Sequence, residues 1–257
     1  MVRGLYSAYC GMMSEQKRLD IISNNIANAA TVGYKSEGVT NQSFDSVYTL
    51  KIKDATNGFV DERIGSMSLG SKIGEVYTNY TQGSLRQTGY TFDLAMEGKG
   101  FFAVSVMDGE GKESIKYTRD GSFKMGNGGI LLDTDGNHVV GESGNIQIPI
   151  DATEITIDSI GGIYADGNYV DSVKITDFSD YDYIKKFGNN LYETVDGAEE
   201  IPVTGTVRQK YLEQSNVNSV KEMVNMITIT RAYEANQKVI NTVDSMLDKA
   251  VNSVGRL

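Results

Sequence analysis

Tryptophan is absent, and histidine and cysteine occur once each and proline twice, in a chain of 257 residues. The lone Cys10 has no partner for an internal disulfide, so an oxidising compartment is neither required nor excluded. With only Pro149 and Pro202, nothing reads as a proline-rich linker. No stretch approaches ~20 consecutive apolar residues, which argues against a membrane-spanning helix. Arg3 precedes a mildly apolar run from Leu5 to Met13, yet a full hydrophobic region and a small-x-small cleavage site are both missing. Tyr9 also stands where lipoprotein processing at Cys10 would need a small residue. The first helix is therefore expected to remain in the mature chain.

Clustered positive charge is missing as well. The formal net charge is -10. Residues 1–35 carry four basic and two acidic side chains, and residues 215–257 carry five and four, which leaves -13 on the stretch between them. Without a basic stripe to neutralise phosphates, nucleic acid is not expected as a partner, and an anionic membrane surface is disfavoured.

What the chain does have is a heptad seam at each end. Leu5, Ala8, Met12, Leu19, Ile22 and Ile26 recur in steps of three and four, or their sum, with Glu15 the one polar station among them. Met226, Ile229, Tyr233, Asn236, Ile240, Val243, Leu247, Ala250, Val254 and Leu257 repeat the alternation near the C-terminus, with Asn236 the polar station. The spacing predicts two long terminal helices that pair as a coiled coil. Asn236 either sets the register of that pair or faces water. A second stripe runs beside each seam: Val2, Tyr6, Tyr9 and Met13 on one helix, and Ala232, Ala235, Val239, Thr242 and Met246 on the other. A two-helix coil leaves these residues wet, so they are expected to pack on other subunits or on the chain's own body.

The first helix is predicted from Val2 to Ala30, with Gly33 supplying a positive φ after it. Ser23, Asn24, Asn25 and Asn28 crowd near its end, either for local side-chain to backbone bonding or for polar contacts between subunits. Ser219-Val220-Lys221-Glu222 fits a capping box that opens the last helix. Between the helices, residues 36–74 read as an extended connector with short strands. Residues 75–210 alternate β-favouring runs with Asp-Gly turns: Phe101–Met107, Ile115–Thr118, Ile130–Leu132, Ile146–Ile150, Glu154–Ile157, Val173–Phe178 and Val203–Val207. The fold class is thus α+β. Residues 1–35 and 211–257 form a helical assembly part, 36–74 a connector, and 75–210 a central, mainly antiparallel β domain.

Four blocks carry a resemblance. LDIISNNIANAATVGYK (Leu19–Lys35), YLEQSNVNSVKEMVNMITITRAYEANQKVINTVDSML (Tyr211–Leu247), GSLRQTGYTFDLAMEGKGFFAV (Gly83–Val104) and YTRDGSF (Tyr117–Phe123) resemble segments of the bacterial flagellar rod and hook protein family. Asn24, Asn25, Asn28, Gly33, Ser215, Asn216, Asn218 and Arg231 belong to those signature blocks. The resemblance implies a structural subunit of the basal-body rod that polymerises helically with itself. Its implied partners are other rod and hook proteins and the flagellar type III export apparatus, with no membrane insertion and no cofactor. The SNVN and RAYE blocks lean toward the distal-rod branch, and a proximal-rod paralogue is the alternative.

Chemical readings find little support in the residues. His138 follows Asp135-Gly136 in a predicted turn, with no serine or cysteine motif to partner it. Asp133, Asp135 and Asn137 imitate the opening of a calcium loop, but His138 and Gly144 occupy the positions that need glycine and glutamate. Gly98-Lys99-Gly100 runs into Phe101-Phe102 rather than a helix, so it does not read as a phosphate cradle. No catalytic, cofactor or metal residues are assigned. Outside the axial-subunit class, the remaining alternative is a glycan-binding or adhesin β domain on a coiled-coil stalk.

Overall fold

The structure is a computed structural model that describes residues 2–51, 62–68, 70–107 and 111–254, side chains at 2–3, 48–51, 62–64 and 254 excepted. The chain divides into a helical unit, residues 1–27, 37–79 and 218–257, and a β unit, residues 28–36 and 80–217. Among the described residues no helix is long and apolar enough to cross a membrane.

In the helical unit, α1 (Val2–Ala27) packs along α2 (Ser219–Lys249). The pairing is antiparallel: Leu5, Tyr6 and Tyr9 meet Ile240, Gly11 faces Asn236, and Glu15 and Arg18 lie beside Asn225–Ala232. Among the described residues four strands accompany the helices. β1 (Glu37–Ser43) pairs antiparallel with β4 (Ser71–Thr78), and β2 (Val47–Lys51) with β3 (Glu62–Met67). Ser14, buried in α1, donates to Asn41 Oδ1 of β1 at 3.2 Å.

Helix boundaries depart from expectation at both ends. α1 stops at Ala27 rather than Ala30, because Thr31 takes the Asn28 carbonyl with its N–H and the Asn28 Oδ1 with its hydroxyl, closing a turn. The cap of α2 is Asn218, not Ser219: its Oδ1 accepts from Lys221 N at 3.0 Å. Beyond Lys249 the helix relaxes into a single π-turn, Ala250–Val254.

The β unit is antiparallel throughout its ladders. β5 (Leu85–Gln87) and β6 (Leu94–Glu97) lead to the long strand β7 (Phe101–Met107) and β8 (Glu113–Thr118). Then come β9 (Lys124–Met125), β10 (Leu131–Leu132), β11 (His138–Val139), β12 (Ile155–Ile157), β13 (Gly162–Ala165) and β14 (Asn168–Ser172). β15 (Ile175–Phe178), β16 (Ile184–Phe187), β17 (Leu191–Thr194), β18 (Glu200–Ile201), β19 (Thr206–Gln209) and β20 (Tyr211–Glu213) complete it. The main sheet runs β16-β17-β8-β7-β11-β10-β9, with β15 also joined to β7 and β18 to β15. β20 returns to pair with β5, and β19 with β6.

Strand β7 organises the packing. Alternate residues point to opposite faces of a strand. Phe102 and Val104 enter a core with Leu94, Met96, Phe123 and Leu131. Phe101 and Ala103 enter a second core with Tyr117, Phe178 and Tyr192. Both faces are buried, which is why this run is apolar without alternation. Ile146–Ile150, expected as a strand, makes a single isolated bridge, Gln147 to Ile130. Ile146 and Ile148 are nevertheless fully buried, and Pro149 removes a donor that a ladder would use.

Candidate assembly surface

Along α1 the seam residues are covered to different depths. Ala8 and Ile22 are buried, while Leu5, Met12, Leu19 and Ile26 are half-buried, as is the polar station Glu15, which Arg18 holds at 3.0 Å. On α2, Ile229 is buried, and Met226, Tyr233, Asn236, Ile240 and Val243 are half-buried. Leu247 and Ala250 are exposed. The stations Val254 and Leu257, and Val2 of the second stripe, lie outside the described side chains. Asn236 sits against Gly11: a Cβ there would come within 3.0 Å of Asn236 Nδ2, so the absent side chain makes room for the amide.

The second stripe is open. Tyr6, Tyr9 and Met13 are 59%, 51% and 40% exposed, and Val239 and Met246 are 47% and 49% exposed. Ala235 and Thr242 are exposed too, while Ala232 is half-buried beside the seam. Between Leu5, Tyr6, Tyr9 and Ile240 lies an apolar cavity of about 290 Å³. Four exposed apolar residues at the start of α2 were missed in the sequence: Val220, Met223, Val224 and Ile227. Their spacing of three and four was the available signal.

The signature residues divide by task. Asn25 is buried and pins the end of α1 to the start of β1: its Nδ2 donates to the Glu37 carbonyl at 2.8 Å, and Glu37 N donates back to its Oδ1 at 3.0 Å. Asn28 closes the turn described above, and Asn24 is exposed. Gly33 has φ +68°, and a Cβ would lie 2.5 Å from the Arg119 carbonyl carbon. Ser215 Oγ accepts from Val217 N at 3.3 Å. Asn216 Oδ1 accepts from Ser36 N at 2.8 Å, and Asn218 caps α2. Arg231 is exposed on α2. The structure therefore brings the two seams together, places Asn25 and Asn28 at the end of α1, and places Gly33 and Asn216 within the β unit.

Of the residues weighed for chemistry, Asp135 lies in a turn, but His138, expected in that turn, opens strand β11 and pairs with Ser105 of β7. His138 Nδ1 is 3.2 Å from Asn145 Nδ2, on a half-buried ring. Asp133 is buried and its carboxyl is pushed up to about 6, first by burial and then by the charges of Asp120 and Asp135, against the hydrogen bond from Thr134 N. Gly98 and Gly100 take φ of +106° and +132° on the way from β6 into β7.

Comparison with known proteins returns consistent matches. Residues 5–35 match the family described as flagella basal body rod protein. Residues 95–165 match the flagellar hook protein FlgE/F/G D1 domain, and residues 208–253 the flagellar basal body rod FlgEFG protein C-terminal region. The chain is 35% identical to the flagellar basal-body rod protein FlgG of Bacillus subtilis (strain 168), over 98% of this chain and 99% of that protein. It is likewise 35% identical to the FlgG of Agrobacterium fabrum (strain C58), over 95% and 97%. The flagellar hook-basal body complex protein FlhO of Bacillus subtilis is 29% identical over the full length of both chains.

Proposed function

This chain belongs to the flagellar basal-body rod protein family, and from that membership we propose that it polymerises helically into the axial shaft, with α1 and α2 pairing as a coiled coil that neighbouring copies cover. It is a structural subunit of the flagellar basal-body rod, located in the basal body, and not an enzyme. Its partners in this reading are copies of itself, other rod and hook proteins at the ends of its segment, and the type III apparatus that exports it. Its place is the distal rod. The terminal helices are the assembly part, and the central strands form the body that they carry.

One observation supports this reading above the rest. On the same two helices the seam from Leu5 to Ile26 and from Met226 to Val243 is buried or half-buried, while the neighbouring stripe of Tyr6, Tyr9, Met13, Val239 and Met246 is 40–59% exposed. Contiguous exposed apolar surface marks an interaction site rather than a solvated face. The stripe also lies on the elements that the family signatures occupy.

Val239→Asp and Met246→Asp test the stripe without disturbing the seam. Each variant is expected to keep the helical circular-dichroism signal, with monomer stability changed by no more than about 0.5 kcal/mol, as for other surface substitutions. Each is expected to lose sedimentable polymer and to be missing from isolated hook-basal bodies. Normal polymer from both variants would overturn the stripe as the subunit interface.

A further inference from the structure

The chain passes between its two units at 27/28, 36/37, 79/80 and 217/218. Three stretches of the β unit carry those crossings: 28–36, 80–84 and 211–217. Besides their bonds to neighbouring strands, among them Gln82 to Met96 and the pairing of β20 with β5, they are bound to one another. Gly33 N donates to the Glu213 carbonyl at 2.8 Å. Lys35 Nζ donates to Glu213 Oε1 at 2.6 Å and to the Thr81 carbonyl at 2.9 Å. Gly83 N reaches the same Oε1 at 2.8 Å, and Gln214 N donates to the Ser84 carbonyl at 2.9 Å. Asn216 accepts from Ser36 N at 2.8 Å and gives its amide to Thr81 O and Oγ1, each at 3.1 Å.

Glu213 is the centre of this knot. It is 0% exposed, with Lys35 at 1% and Arg119 at 3%. Arg119 donates to the second oxygen, Oε2, at 3.2 Å and stands 5.1 Å from the centroid of the Phe101 ring. A buried ion pair is a poor source of stability compared with apolar packing, but removing one partner leaves an uncompensated charge. What Glu213 supplies is convergence, since its two carboxylate oxygens bind Lys35, Gly83 and Arg119 and its backbone carbonyl binds Gly33. The stretch 28–36 needs that convergence, because it contributes no residue to a strand ladder. Beyond Glu213 and Asn216 it is held by Asn190 Nδ2, which donates to the Val32 carbonyl at 3.1 Å.

We propose that Glu213, Lys35, Arg119 and Asn216 form an ionic clasp that ties the stretches 28–36, 80–84 and 211–217 to one another within the β unit. The strap 28–36 opens as a unit when the clasp breaks, while the bonds that join β7 to Lys174 and Val140 stay closed. Such sub-global opening units are a general feature of folded proteins. The clasp lies within the β unit of a single chain, so it does not depend on the assembly reading.

Hydrogen exchange of the full chain, read amide by amide by NMR, tests it. Glu213→Gln keeps the shape and removes the charge. It is expected to speed exchange at Gly33, Ser36 and Gly83 at least tenfold, with Ala103 and Val140 in the core changing less than twofold. Asn216→Ala, at the half-buried rim, is expected to speed exchange at Ser36 at least threefold and leave Ala103 alone. It carries the test if Glu213→Gln does not fold. Unchanged exchange at Gly33 and Ser36 in a folded variant would overturn the clasp. Equal acceleration at Ala103 and Val140 would overturn it too, because the cluster would then open only with the whole fold.

Discussion

Asp133 carries a cost that its neighbours only partly offset. Thr134 N donates to its Oδ1 at 2.7 Å, but burial and the nearby Asp120 and Asp135 charges win, and the carboxyl is held up to about 6. Between its ordinary value of 3.8 and about 6 the native state binds more protons than the unfolded chain, so this group's stabilising contribution is full below about 4 and lost as pH rises through 6. A rise from 3.8 to about 6 corresponds to at most about 3 kcal/mol. Asp133→Asn keeps an acceptor for Thr134 and removes the charge. The variant is expected to exceed the parent by ~1–3 kcal/mol at about pH 7.5 and to lose that advantage at about pH 4, read as the difference in urea unfolding free energy. A difference constant across that range would refute the assignment. Sequence alone identified the turn here: Gly136 N donates to the Asp133 carbonyl at 3.0 Å and Gly136 has φ +88°. It could not identify the burial, which depends on the Asp120 turn arriving from β8. Gly33 teaches the same lesson. Its positive φ was legible, but the reason no side chain fits is the Arg119 backbone, 86 residues further on and brought alongside only by folding.

At the scale of elements, the antiparallel register of α1 and α2 decides how far the seam is real. Leu5 lies at Ile240 and Gly11 at Asn236, so α1, which begins at Val2, runs out near Val243. The heptad spacing continues beyond that point, yet Leu247 is 37% exposed and Ala250 is exposed because no α1 residue remains to face them. The two stations should therefore respond differently in the monomer. Ile240→Asp is expected to cost about 1–3 kcal/mol, since it places a charge in a half-covered apolar contact. Leu247→Asp is expected to cost no more than about 0.5 kcal/mol. Thermal melts followed by helical circular dichroism separate them, and equal losses would mean that the cover extends past Val243. Periodicity found both helices because a long amphipathic helix repeats its signal many times. Their ends were harder, since Asn218 and Ser219 are both good caps and only the bond to Lys221 N chooses between them. The exposed residues Val220 to Ile227 were missed because a seam traced from Met226 does not look upstream.

For the whole molecule, charge is divided as sharply as structure. The β unit, residues 28–36 and 80–217, carries 12 basic and 22 acidic side chains, and the remaining residues carry 12 of each. The entire net charge of -10 thus belongs to the β unit, and the helical unit is neutral in sum. Bringing copies together crowds like charges whose repulsion extends over a Debye length, about 30 Å at 0.01 M salt and about 10 Å at 0.1 M. Association through the proposed apolar stripe would have no such dependence, because removal of surface from water would drive it. Polymerisation governed by these two terms becomes easier as salt rises. The critical concentration for sedimentable polymer is expected to fall several-fold between roughly 10 and 150 mM NaCl, and the β-unit variant Asp196→Lys, on an exposed loop, to shift that curve toward lower salt. A critical concentration that rises with salt would mean that opposite charges hold the subunits together, and the apolar stripe would lose its claim to be the contact.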